Sequence, residues 1–171
     1  MSEASDASLR AELAMHHAAS FGWALSCCGR RSAEAEDVLS LTYDKVLSGA
    51  ARFDGGAAFK TWLFAVIRRT AHQERRRRML RAVLLLRFWQ EPEQTPPDAE
   101  TDERRRARSL AVALGQLSVR QREVLHLVFY EGMTVREAAV AMDVAVGTAS
   151  LHYDRGKARL QTLLGEKGIR E

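Results

Sequence analysis

The 171-residue chain is 46% hydrophobic and 28% charged, with a formal net charge of +4 and a pI near 9.4. That composition suits a soluble globular protein of one ordinary domain or two small ones. It excludes a membrane-spanning chain, because apolar runs such as Ala82 to Leu86 are far too short to cross a bilayer. The opening MSEASDASLRAEL is polar and acidic, so no secretory signal is expected and the chain is expected in the cytoplasm.

Residues 1–8 read as a frayed tail. From Leu9 to about Cys28 the pattern is helical, with Leu9, Leu13, Phe21 and Leu25 on one face and Gly29 as the stop. Cys27 and Cys28 are the only cysteines, and they are adjacent. Adjacent cysteines rarely close on each other, and the cytosol keeps them reduced. His16 and His17 upstream make a zinc site conceivable, but Cys-x-x-Cys spacing is absent, which favours buried helix thiols and no metal. Ser32 is expected to cap a second helix, with Glu34, Glu36 and Asp37 suited to its positive N-terminal end. That helix carries Val38, Leu41 or Thr42, Lys45 and Val46 before Gly49.

The next stretch, Arg52 to Arg81, opens as a turn at Asp54-Gly55-Gly56. A helix follows in which Phe59, Trp62, Leu63, Val66, Ile67 and Thr70 form one buried stripe. Lys60, Phe64, Arg68, Arg69, His72, Arg75 and Arg76 fall on the other side, and Arg75 to Arg78 with Arg81 concentrate the positive charge. Cations that track phosphates beside a ring that stacks on bases are the equipment for holding a single strand. A solvated surface helix with one half-buried Phe accounts for the same residues. The helix is expected to run on through Leu84 towards Trp89, making residues 9–89 one all-helical unit.

Residues 90–103 hold all three prolines and six acidic residues, a composition that cannot build a core, and residues 90–107 read as a linker. The second unit spans 108–165. Arg108 to Leu117 is helical. Ser118 to Gln121 is a capping box opening a helix with Val124, Leu125, Val128 and Phe129, and Thr134 to Glu137 is another, opening a short helix with Ala138, Ala139 and Met142. A turn at Asp143-Val144-Ala145 leads into a last helix burying Val146, Ala149, Tyr153, Leu160 and Leu164. Short helix, tight turn and longer helix make a helix-turn-helix. Thr148, Ser150, Leu151, His152, Asp154, Arg155 and Arg159 then point outward. No strand, repeat, phosphate loop or catalytic constellation is legible, so neither enzymatic activity nor a cofactor is expected. The fold class is all-α, two small helical domains joined by an acidic, proline-containing linker.

Ala35-Glu36-Asp37-Val38, Phe59-Lys60-Thr61-Trp62-Leu63-Phe64 and the Arg run resemble region 2 of the extracytoplasmic-function sigma factors of bacteria. Leu117 to Leu125, Glu131-Gly132-Met133-Thr134 and Val146-Gly147-Thr148 resemble their region 4. The resemblance covers about residues 10–165.

It implies a subunit that binds core RNA polymerase and promoter DNA, with no small-molecule substrate. Glu36, Asp37, Ser40, Leu41 and Asp44 would meet the polymerase. Phe53, Asp54, Gly55 and Ala58, with Lys60, Phe64, Arg68, Arg69, His72, Arg75 and Arg76, would open and hold the −10 element, a base flip that costs a few kcal/mol. The outward residues of the last helix would read the −35 element as duplex. Six positions depart from the family: Ser40-Leu41 stands for a usual Gln-Glu, Thr70 for a common Asn, and Ser150, His152 and Asp154 for more basic residues. Neither an acidic N-terminal segment nor a C-terminal regulatory domain is expected, so the resemblance implies control by an anti-sigma factor, often membrane-bound. Two other readings are a polymerase-independent helix-turn-helix regulator, which leaves Phe64 and the Arg run unexplained, and a sigma-like decoy that titrates an anti-sigma factor.

Overall fold

The computed structural model describes the backbone of residues 3–84 and 110–168 and the side chains within 7–80 and 110–165. All regular structure among these residues is helical. The helices are α1 (Glu3–Met15), α2 (His17–Cys27), α3 (Ser32–Leu47), α4 (Phe59–Leu84), α5 (residues 110–115), α6 (Val119–Phe129), α7 (Val135–Met142) and α8 (Val146–Gly168). The continuation of α4 towards Trp89, the expected linker over 90–107 and the start of the helix expected from Arg108 lie outside the described residues.

The helix expected from Leu9 to Cys28 is interrupted at His16, whose ring lies against Phe59 with centroids 6.1 Å apart. The largest fully buried side chain of this segment is none of the four expected to mark its face. It is Trp23, fully buried, whose indole N–H is satisfied by the carbonyl of Phe64 at 2.9 Å. Ser32 does not cap α3. It is the first helical residue, the N-cap is Arg31 without a side-chain cap, and the Ser32 hydroxyl donates to Glu36 at 3.2 Å instead. Thr42, not Leu41, completes the buried stripe of α3 with Val38, Leu39 and Val46, and its hydroxyl is spent on the carbonyl of Val38 at 2.7 Å.

α4 is the axis of the molecule. α2 and α3 pack against it from the first unit and α7 from the second. Residues 63–68 are consequently buried without a break, although only part of that run belongs to the apolar stripe. Both capping boxes form: Ser118 accepts from the Gln121 amide and Thr134 from that of Glu137, with the N3 side chains reaching back. They satisfy N–H groups that would otherwise be orphaned at the helix starts. The core of α6 is Val124, Leu125 and Leu127 with Glu123 among them, while Phe129 is exposed. Asp143 ends α7 in the left-handed region at φ 53° and makes the turn of the helix-turn-helix. α8 then crosses α6 closely: a Cβ at Gly156 would lie 3.2 Å from side-chain atoms of Gln121 and Leu125. Ala149 and Leu163 are buried in α8, whereas Val146 and Leu164 are exposed.

Candidate nucleic-acid interface

The segment between α3 and α4 presents an exposed loop. Gly55 takes φ +78°, a conformation that costs a residue with a Cβ, and the Gly56 amide donates to the Asp54 carboxylate at 3.0 Å, closing an Asx turn. Asp54, Gly55 and Ala58 are exposed. Phe53 is 41% exposed, yet its ring meets Phe59 at 5.4 Å and Trp62 at 5.3 Å. These three rings form a small aromatic platform at the head of α4, half open to solvent, where an unpaired base has a surface to stack on. Trp62, expected in the buried stripe, is only half-buried.

The basic face of α4 divides in two. Arg69, Arg75 and Arg76 are exposed. Lys60, Phe64, Arg68 and His72 turn onto other parts of the protein instead. Phe64, expected to lie free among the cations, is fully buried, with its ring nearly parallel to Trp23 at 5.8 Å and the Lys60 ammonium 5.5 Å from its centroid. Arg68, expected on the same surface, is 5% exposed. Its Nε lies 3.1 Å from Glu123 of α6, and its Nη1 donates to the carbonyl of Met142 of α7 at 2.7 Å. His72 lies 3.7 Å from the same Glu123 carboxylate. Lys60 pairs with the Glu131 carboxylate at 2.8 Å and donates to the Glu131 carbonyl at 3.1 Å.

The two units therefore meet through α4 and α2 on one side and α6 and α7 on the other. Trp23 touches His126 across this contact, with centroids 5.4 Å apart. Burial pushes the Glu131 carboxyl up, but hydrogen bonds from His126 and Lys60 outweigh it and hold the group below its ordinary value. Cys27 lies at the same seam. Burial and the nearby Glu123 carboxylate push its thiol up, so it is held protonated. No three potential ligand side chains converge as a metal site among the described residues.

On α3, Glu36, Asp37, Ser40 and Asp44 are exposed along one face with Leu41 half-buried beside them. Behind them Arg78 pairs with Glu34, which ties the C-terminal half of α4 to the start of α3. On α8, Thr148, Leu151, Asp154, Arg155 and Arg159 are exposed, and Ser150 and His152 half-buried.

Two family models match the chain in this order: sigma-70 region 2 over residues 13–81 and sigma-70 region 4 over residues 107–160. The sigma factor CarQ of Myxococcus xanthus is 31% identical over 80% of this chain and 78% of its own length. The extracytoplasmic-function sigma factor SigL of Mycobacterium tuberculosis is 30% identical over 94% and 91%. The chain belongs to the extracytoplasmic-function sigma factors of the sigma-70 family. A sigma factor directs RNA polymerase to its promoters, and that is the function of this protein. The fold agrees. The sigma factor RpoE of Bartonella quintana, solved in complex with the anti-sigma factor NepR, superposes with a TM-score of 0.72 at 26% identity, over 91% of this chain and 96% of that one.

The residues that join the two units of this sigma factor were not legible beforehand. Trp23 and His126 lie in no motif, and the motifs that hold Glu123 and Glu131 carry no sign of a partner in the other unit. The one available signal was Glu123, a carboxylate beside Val124 and Leu125 and four residues before Leu127, hence on an apolar face. A buried charge of that kind requires a partner.

Proposed function

We propose that this sigma factor divides promoter recognition between its two units. The loop Phe53 to Ala58 and the head of α4 receive an unstacked −10 base, and Arg69, Arg75 and Arg76 follow the backbone of the displaced strand. Lys60, Arg68 and His72 join them once freed from their carboxylate partners. Phe64 has no free face for a base. It supports the helix from within through Trp23, and the stacking role passes to the ring platform of Phe53, Phe59 and Trp62. The observation that carries this reading is that platform, half open to solvent beside an Asx turn and at the head of the helix that carries the exposed Arg69, Arg75 and Arg76.

The −35 element is read as duplex from α8 by Ser150, Leu151, Asp154 and Arg155, flanked by Thr148, His152 and Arg159. Asp154 suits a cytosine amino group better than a phosphate. The polymerase docks on the face of α3 formed by Glu36, Asp37, Ser40, Leu41 and Asp44, an acidic surface suited to a basic partner. The polymerase supplies all catalysis, and the sigma factor works in the cytoplasm with it. An anti-sigma factor holds it in reserve, a reading supported by the complex in which the Bartonella relative was solved.

The test is co-elution of the purified chain with core RNA polymerase, then run-off transcription from the promoter upstream of its own gene. Co-elution with a transcript from a defined start site is expected. Failure to co-elute would favour the decoy reading, with Ser40 and Leu41 the first residues to revert to the family's pattern.

A further inference from the structure

α8 carries a carboxylate that nothing in the protein neutralises. Asp154 and Arg155 are neighbours, both exposed, and among the described residues neither side chain has a hydrogen-bond or charge partner. The buried line of α8 is Ala149, Gly156 and Leu163. At about 3.6 residues per turn, Leu151 stands opposite that line, and Asp154 and Arg155 flank it one turn on, about 100° apart around the axis. Gly147 and Ala158 continue the Leu151 line in both directions without a long side chain, and a Cβ on Gly147 would meet nothing within 4 Å. The outer ridge of the helix is therefore low, and Leu151, Asp154 and Arg155 rise from it. We propose that Asp154 and Arg155 together read one C·G base pair of the −35 element in a single orientation, with Leu151 against the methyl group of an adjacent thymine. This rests on the reading of α8 as the helix that enters the major groove.

A carboxylate in the major groove lies between two lines of phosphates, so it is tolerated only where a donor answers it. The cytosine amino group is such a donor, whereas guanine offers acceptors at O6 and N7 and thymine an acceptor at O4. Adenine offers its amino group beside the N7 acceptor, which the second carboxylate oxygen would meet. A guanidinium has the reverse need and takes guanine O6 and N7 as a pair. A C·G pair presents its donor on one strand and its two acceptors on the other. Adjacent residues of opposite charge, leaving the helix on either side of its outer line, match that order. Turned round as G·C, the pair sets guanine acceptors against the carboxylate and the cytosine amino group against the guanidinium, so both contacts fail together. Leu151 precedes Asp154 by three residues. That is a rise of about 4.5 Å against about 3.4 Å per base pair, so Leu151 falls on a neighbouring pair, where the thymine methyl is the apolar feature. Lys157 and Arg159, both exposed, remain for the flanking phosphates.

The test uses holoenzyme assembled from core RNA polymerase and the full chain. A duplex library carries the promoter upstream of the chain's own gene with the −35 element randomised, and the duplexes that holoenzyme retains are sequenced. One position should favour C·G over G·C by at least about fivefold, and a pair next to it should favour thymine. Asp154→Ala should flatten the preference at that position. Asp154→Asn keeps the shape of the side chain and gains a donor, so it should shift the preference there from cytosine to adenine. Arg155→Ala should weaken selection at the same position, and Leu151→Ala selection of the neighbouring thymine. A native profile without such a C·G position, a preference that survives Asp154→Ala, or Asp154 and Arg155 variants that act on different base pairs would each overturn the proposal. If native holoenzyme selects no base anywhere in the randomised element, the reading of α8 falls with it. Selection that is present but indifferent to Asp154 and Arg155 sinks the base-pair proposal and leaves that reading standing.

Discussion

Arg68 and Glu123 are the charged residues buried among those described, and each is the other's counter-ion, 3.1 Å apart and contributed by different helical units. Neither charge is buried for the sake of its own unit. The pair should couple by about 1–3 kcal/mol in a double-mutant cycle of Arg68→Gln and Glu123→Gln, read by urea unfolding of the full chain. Strictly additive effects would show that the two side chains do not meet in solution.

Phe64 is stacked on Trp23 in the core, so Phe64→Ala should leave a cavity and cost about 3–5 kcal/mol. Phe64→Leu should cost markedly less. Thermal melts of the two variants decide the matter. A neutral Phe64→Ala would mean that the ring is free, and would return it to the list of base-stacking candidates.

Arg75 and Arg76 are exposed, and replacing both by Ala should leave the melting temperature nearly unchanged. Promoter binding by holoenzyme should weaken, and the slope of log affinity against log salt should fall by about one unit per lost phosphate contact. Fluorescence anisotropy across a salt series measures it. An unchanged slope would remove both residues from the DNA backbone.

Glu131 faces Lys60 from α4 and His126 from its own unit, and its carboxyl is held below the ordinary value of 4.5. A depressed carboxyl contributes stability that is fully present above its unfolded pKa and is lost as pH falls through its folded one. The stabilisation from this contact should therefore be intact at neutral pH and fade below about pH 4.5. The difference in melting temperature between the native chain and Glu131→Gln should shrink over that acidic limb. A difference constant with pH would mean that the carboxylate makes no favourable contact.

What the sequence determined by itself was local or periodic. The starts of α6 and α7 are set by reciprocal bonds within four residues, Ser118 with Gln121 and Thr134 with Glu137, so spacing alone reveals them. The helix-turn-helix follows from the same short-range chemistry, and the family was legible because its motifs recur in order along the chain. Where sequence reading failed, a local preference yielded to a distant partner. Ser32 was expected as a cap and was displaced by Arg31. Phe64 and Arg68 were expected on a free face.

Only the tertiary structure decided what covers the basic side of α4. A helical stripe tells which residues face the helix's own unit, and nothing about a second unit arriving from the far side. The acceptors for Lys60 and Arg68 lie 71 and 74 residues away along the chain. A lysine or arginine reads the same in sequence whether its counter-charge is a phosphate or a carboxylate, because the side chain is built for either. Which one it meets depends on how the two units pack.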